Sequence, residues 1–222
     1  MKKHLGTLIS AILAGICIGL GGTVFLRIKD AFVGANIVAA LLFSIGLFTI
    51  CTRGYSLFTG RACYIFDNKP SYLLTLLIIW VGNLLGTGFL ALVERATPLC
   101  NLESGMQLTA QALVEAKMSY GLGSVFLLAC LCNIFIYLAV NGYANIPHEI
   151  GKYLAIFLGV MAFILAGTEH SIADMYYWAV SGILFSAPGK SLLYLAVISL
   201  GNVVGGLLLP LLEKLQNYLT AE

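Results

Sequence analysis

Long apolar blocks alternate with short polar ones along almost the whole chain. A helix that crosses a bilayer needs about 20 predominantly apolar residues. Residues 5–26 supply one such block and end at RIKD. Residues 31–50 begin a second, which runs into CTRGYSLFTGR and leaves only the short tail ACYIF. Residues 72–93 form a clean third block. Residues 94–118 carry Glu94, Arg95, Glu103, Glu115 and Lys117, which predicts a polar connection. Residues 119–140 are the fourth block, and NGYANIPHEIGK after it is a loop. A fifth begins at Tyr153, is interrupted by GTEHSIADM, and resumes to Phe185; residues 191–212 are the sixth. The pattern predicts an all-α polytopic membrane protein, one transmembrane domain over residues 1–222, with six spanning helices of which the second and fifth are broken. The basic start and apolar run of MKKHLGTLISAILAG resemble a secretory signal, but the run continues to Leu26 with no polar cleavage region, so it reads as the first spanning helix.

The two broken blocks hold the same place in two halves of three, about residues 5–93 and 119–212. Their glycines Gly54 and Gly167 lie 113 residues apart. GNLLGTGFLAL in the third block, from Gly82, matches GNVVGGLLLPL in the sixth, from Gly201, 119 residues later. Because each half has an odd number of spans, the second must sit inverted relative to the first. That is the signature of an inverted-repeat transport protein, with its pathway where the broken helices meet. Interrupted backbone survives at membrane depth only when buried in protein or lining a cavity. Gly15/Gly19, Gly82/Gly86 and Gly201/Gly205 are small residues four apart, suited to close helix packing. Asn83 and Asn202 then read as interhelical hydrogen-bonders.

Composition agrees: 60% of the 222 residues are hydrophobic and 10% are charged, against about 25% charged in a soluble domain. The net charge of +2 implies no nucleic-acid partner. The six cysteines are scattered through apolar stretches and suggest neither a disulfide framework nor a zinc site. No cofactor is implied. Lys and Arg are nearly balanced between the two sides, and Lys2–Lys3 tip the N-terminus inside.

Several stretches together resemble the formate/nitrite transporter family. GTEHSIADMYY resembles its G-F-E-H-S-x-A-N-M segment, and YSLFTG its E-L-F-T-G or E-L-F-T-S loop. LCNIFIYLAV resembles C-N-x-L-V-x-L-A-V, SLGNVVGG resembles L-G-N-x-x-G-G, and AKMSYG resembles the lysine-bearing region before the fourth span. The resemblance implies an aquaporin-like fold, a homopentamer with one pore per subunit in the cell membrane, and passage of small monovalent anions, formate or nitrite foremost, together with a proton; hydrosulfide and short carboxylates are the alternatives. Carried over by motif, the central histidine is His170, its loop partner Thr59, the vestibule lysine Lys117 and the nearby asparagine Asn133, with Glu169 beside the pathway. The apolar constrictions are Phe43, Leu47, Leu57 and Phe58 in the first half and Ile136 and Phe163 in the second. The chain departs from the family pattern at Ser56, where glutamate is usual, at Thr168, where phenylalanine is usual, and at Asp174, where asparagine is usual; Arg53 and Arg61 flank the first loop.

The residues alone support part of this. A charge at mid-membrane costs roughly 2.5–3.5 kcal/mol on insertion scales, so Glu169, His170 and Asp174 need a partner or a pathway. On the residues themselves Glu169 either satisfies backbone amides or meets a neighbouring subunit, Asp174 pairs with Arg53 or Arg61, Lys117 is a vestibule charge or a solvated one, and Thr59 and Asn133 serve the pathway or helix packing. An embedded enzyme is disfavoured: H-x-x-x-D is present, but no H-E-x-x-H or G-x-S-x-G accompanies it. A water or glycerol channel fits the repeat, but the two Asn-Pro-Ala loops of aquaporins are absent.

Overall fold

The computed structural model describes residues 2–100 and 105–221. Among them every regular element is helical. Five segments are long and apolar enough to cross a bilayer: α1 (Lys2–Ile28), the pair α2 (Ala35–Phe43) and α3 (Ile45–Arg53), α5 (Tyr72–Arg95), α7 (Leu122–Asn145) and α11 (Pro188–Leu219). Between them lie α4 (Phe58–Ala62), α6 (Met106–Ser119), α8 (Glu149–Leu165), α9 (Ser171–Ser181) and α10 (Ile183–Ser186). Leu and Ile side chains such as Leu5, Leu77, Leu127, Leu158 and Leu200 are about half exposed or more on the outer faces, as lipid-facing positions are.

α1 packs along α5, and α7 along α11. Both contacts are glycine-lined. A Cβ at Gly86 would strike the Ile12 carbonyl, and one at Gly205 the Cys130 carbonyl. Bare backbone at these positions lets the helices approach closely, where dispersion and polar contacts replace the hydrophobic effect as the cohesive force.

The two breaks fall where the charged clusters predict them. α3 ends at Gly54, in the left-handed region at φ 70°, and α4 restarts at Phe58. α8 ends before Gly167, at φ 66°, and α9 restarts at Ser171 with His170 as its N-cap. Glycine takes that backbone conformation without the Cβ penalty. An asparagine satisfies each freed backbone segment. Asn83 Nδ2 donates to Ala11 O (2.8 Å) and Ser56 O (3.0 Å), and its Oδ1 accepts from Phe58 N (2.9 Å). Asn202 Nδ2 donates to Ala129 O (2.8 Å) and Glu169 O (2.8 Å), and its Oδ1 accepts from Ser171 N (2.9 Å). Ser56 N donates to Ser10 O and Glu169 N to Leu128 O, each at 3.4 Å.

Two expectations need correction. The polar connection over 94–118 contains a helix, α6, that packs on α9 and buries Met106, Ala110 and Val114. Its sequence MQLTAQALVEAKMS is rich in strong helix formers, and those three residues at i, i+4 and i+8 make a narrow apolar stripe that average polarity conceals. Glu103 lies outside the described residues. The second block also breaks once more than expected, at the buried Ser44 between α2 and α3.

Candidate functional site

His170 is 2% exposed, and its surroundings fix its chemistry. As N-cap of α9 it accepts the Ala173 N–H on Nδ1 at 3.1 Å. A ring nitrogen that accepts carries no proton, so the neutral imidazole holds its proton on Nε2. That Nε2–H donates to Thr59 Oγ1 at 3.0 Å. The Thr59 hydroxyl proton is thereby left to point elsewhere. The two broken segments therefore meet side chain to side chain, one from each half. The Phe163 ring stacks on the imidazole at 5.3 Å and 19°, and Phe43 meets Phe163 edge-on at 6.1 Å.

Two cavities approach this pair. One, of about 170 Å³, is lined by Lys117, Tyr120, Phe163, Glu169, His170 and Asp174, with Phe25 and Tyr177 among the rest of its wall. The other, of about 180 Å³, is lined by Leu47, Leu57, Tyr55, Gly60, Arg61 and Tyr64, with Val140 of α7 at its edge. Tyr120 precedes the first turn of α7 and Val140 sits in its last turns, so the outer parts of the two cavities lie toward opposite ends of that helix.

The residues picked out in the sequence fall into three groups. Lys117, Glu169, His170 and Phe163 line the first cavity, and Leu47 and Leu57 the second. Thr59 and Phe43 line neither, and each touches a first-cavity residue. Asn133, Phe58 and Ile136 are buried and line neither cavity. Asn133 Nδ2 donates to Thr59 O (3.1 Å) and Asn202 O (2.7 Å), tying the first loop to α11; its Oδ1 has no partner among the described residues.

The electrostatics differ from the sequence reading. Lys117 hydrogen-bonds Glu169, and its Nζ lies 3.1 Å from Asp174 Oδ1. Asp174 thus pairs with Lys117 rather than with Arg53 or Arg61, both of which are exposed. Glu169 meets this lysine and, through its backbone carbonyl, Asn202.

Phe25 and Tyr177 carried no signal in the sequence. Their rings lie 6.1 Å apart, and Phe25 also meets Phe43 at 6.3 Å. An aromatic inside an apolar span looks the same whether it faces lipid, core or cavity.

Comparisons with known proteins bear on the family and the fold. A family model described as formate/nitrite transporter matches residues 2–214. The chain is 32% identical over 182 residues to formate-nitrite transporter 2 of Toxoplasma gondii, covering 76% of this chain and 38% of that longer protein. It is 25% identical over 257 residues to the formate channel FocA of Haemophilus influenzae, covering 99% of this chain and 88% of the relative. Among solved structures it resembles a pentameric formate channel with formate bound, at a TM-score of 0.84 and 25% identity over 99% of both chains.

Proposed function

The chain belongs to the formate/nitrite transporter family, and on that premise we propose that it passes small monovalent anions, formate or nitrite foremost, across the membrane together with a proton. It is an integral membrane protein of a family of transporters and channels. The observation that carries the proposal is the His170–Thr59 hydrogen bond between two cavities, closed by Phe163 and Phe43.

A bare anion loses its hydration on entering such a barrier, and low dielectric penalises the charged form. A neutral acid does not carry that penalty. The anion enters the first cavity, drawn by the N-terminal end of α9 and by Lys117. It takes a proton there and crosses as the acid, past Phe163 and Phe43. Nε2–H of His170 and the hydroxyl of Thr59 hold its polar end. On the far side it leaves past Leu47 and Leu57, where Arg61 and Tyr64 face the ionised product. Phe58 and Ile136 support the narrow region from behind, and Asn133 keeps the Thr59 loop in place.

The architecture belongs to the same reading. Six spans in an inverted 3+3 repeat, aquaporin-like, with α3–α4 and α8–α9 as the broken members, account for the paired asparagine hydrogen bonds. A homopentamer with one pore per subunit follows the pentameric formate channel that the chain resembles.

The test is uptake of formate, nitrite and hydrosulfide into liposomes holding the purified protein, between about pH 5 and pH 8. Uptake of at least one anion is expected to rise as pH falls. His170→Asn is expected to change that profile. Liposomes that admit water or glycerol but none of the three anions would refute the proposal.

A further inference from the structure

Asp174 has no role in that pathway, although it is 1% exposed and lines the first cavity. Neither of its oxygens accepts a hydrogen bond from a described residue. It faces Lys117 at 3.1 Å, and the same ammonium holds Glu169, which is also 1% exposed. The two buried carboxyls therefore share one ammonium. One ammonium compensates one of the two carboxyl charges, and the other carboxyl is buried without a compensating charge unless it carries a proton.

Charge counting gives the same answer. With all three groups ionised the triad carries −1 in a confined cavity. With Lys117 neutral and both acids ionised it carries −2. One proton on the carboxyl pair brings the sum to zero, and a buried cluster settles at its most nearly neutral state. The other titratable groups on this cavity or against the pair are His170, Tyr120, Tyr177 of α9 and Cys132 of α7. His170 is held neutral by its cap, and a phenol and a thiol bring no charge of their own.

His170 is a poor proton source. Nδ1 is occupied by the Ala173 N–H, so the ring has one proton, on Nε2, and giving it up would leave an imidazolate. The proton that accompanies the anion must come from another group.

We propose that Asp174 and Glu169, clamped by Lys117, hold one transferable proton between them and give it to the anion that enters the cavity. The step balances: the O–H bond of the carboxyl pair breaks, an O–H bond forms on the anion, the pair is left fully ionised, and the neutral acid moves on. A hydronium ion reaching the cavity from bulk solvent returns a proton to the pair and leaves as water. The loaded triad is neutral and admits an anion; the unloaded triad is negative and repels the next one. The inference rests on the proposed anion pathway for the use of the proton, not for its presence.

The test is infrared spectroscopy of the full chain in lipid vesicles near neutral pH. The wild type is expected to show a carbonyl stretch from one protonated carboxyl per chain that shifts in heavy water. Both Asp174→Asn and Glu169→Gln are expected to lose it, because one remaining acid beside one lysine ionises. Two independent substitutions erasing a single band is a signature that a merely structural role does not produce. Oligomer size and circular dichroism identify folded variants, and either variant suffices. Absence of the band in the wild type, or its persistence in a folded variant, overturns the inference. Wild-type formate, nitrite and hydrosulfide uptake is measured on the same vesicles. A protein that keeps the band but carries no anion defeats the pathway and leaves the proton site standing.

Discussion

Asn202→Ala tests whether the second broken segment is held as described. The wild-type amide makes three hydrogen bonds, two as donor to Ala129 O and Glu169 O and one as acceptor from Ser171 N, all buried. Hydrogen bonds between membrane helices average about 0.6 kcal/mol in double-mutant cycles, so the three bonds set a floor of about 2 kcal/mol. The substitution also strands two carbonyls and one N–H. At about 2 kcal/mol for each stranded group the ceiling is about 6 kcal/mol. Denaturant unfolding in mixed micelles reads the difference, and Asn83→Ala serves as the internal comparison. Its three bonds match in type and length, so the two losses are expected to agree within about 1 kcal/mol, the usual spread for a single buried hydrogen bond. Asn202→Ala is also expected to slow transport, since Glu169 and His170 sit on the segment it releases. A loss below about 1 kcal/mol would show that other contacts hold the break.

Thr59→Val keeps the shape but removes the acceptor for the His170 Nε2–H. About 1.4 kcal/mol, the order of one hydrogen bond, corresponds to tenfold slower formate uptake, and the stranded N–H is expected to cost about 1–3 kcal/mol of stability; uptake at the wild-type rate would remove Thr59 from the pathway. Gly205→Val places a side chain against the Cys130 carbonyl and is expected to abolish a stable fold, read as loss of a single sharp peak on gel filtration. Gly88→Ala, in the same kind of helix but with open space around it, is expected to stabilise the protein by about 0.5–1 kcal/mol. Lys117→Ala leaves Glu169 and Asp174 without their cation and is expected to cost about 3–5 kcal/mol in the same unfolding assay. Adding Glu169→Gln and Asp174→Asn to it is expected to recover much of that loss; no recovery would show that the lysine stabilises by packing alone.

The helices and both breaks were legible because the bilayer imposes a strict code. Glycines and charges inside an apolar block have few tolerated explanations, and GTEHSIADM has all of them at once. Asn83 and Asn202 were legible as interhelical hydrogen-bonders for the same reason. What was hidden depended on partners distant in sequence. Asp174 finds Lys117, 57 residues away on α6, instead of the arginines flanking the other loop. No local spacing encodes that choice, because it depends on which helix packs against α9. α6 itself was hidden because three buried residues among fourteen barely change its mean polarity. Thr23, Glu94 and Tyr176 form another buried hydrogen-bonded cluster, with Thr23 Oγ1 to Glu94 Oε1 at 2.5 Å and Tyr176 Oη to Glu94 Oε2 at 2.6 Å. Glu94 looked like the start of a loop because it closes an apolar block.

The paired asparagines also indicate how two broken segments held alike support asymmetric chemistry. Each holds the same three backbone groups: a carbonyl on the neighbouring helix, a carbonyl in the loop, and the first N–H of the restarted helix. Counting from those anchors, Ser56 stands where Glu169 stands in the other half, and Leu57 where His170 stands. The backbone problem is identical in both halves and has one solution, so that solution is repeated. The side chains between the anchors need not serve the backbone alike, since His170 caps α9 while Leu57 makes no cap bond to α4, and they are free to diverge. At the matched position one segment presents Leu57 to a cavity that also holds Arg61 and Tyr64, and the other an imidazole beside two carboxyls around a lysine. A cation and phenols on one side of the narrow region and an acid–lysine cluster on the other suit a solute that changes charge on the way through. A pathway for a solute that is neutral throughout would need no such difference, and two identical loops would serve it as well.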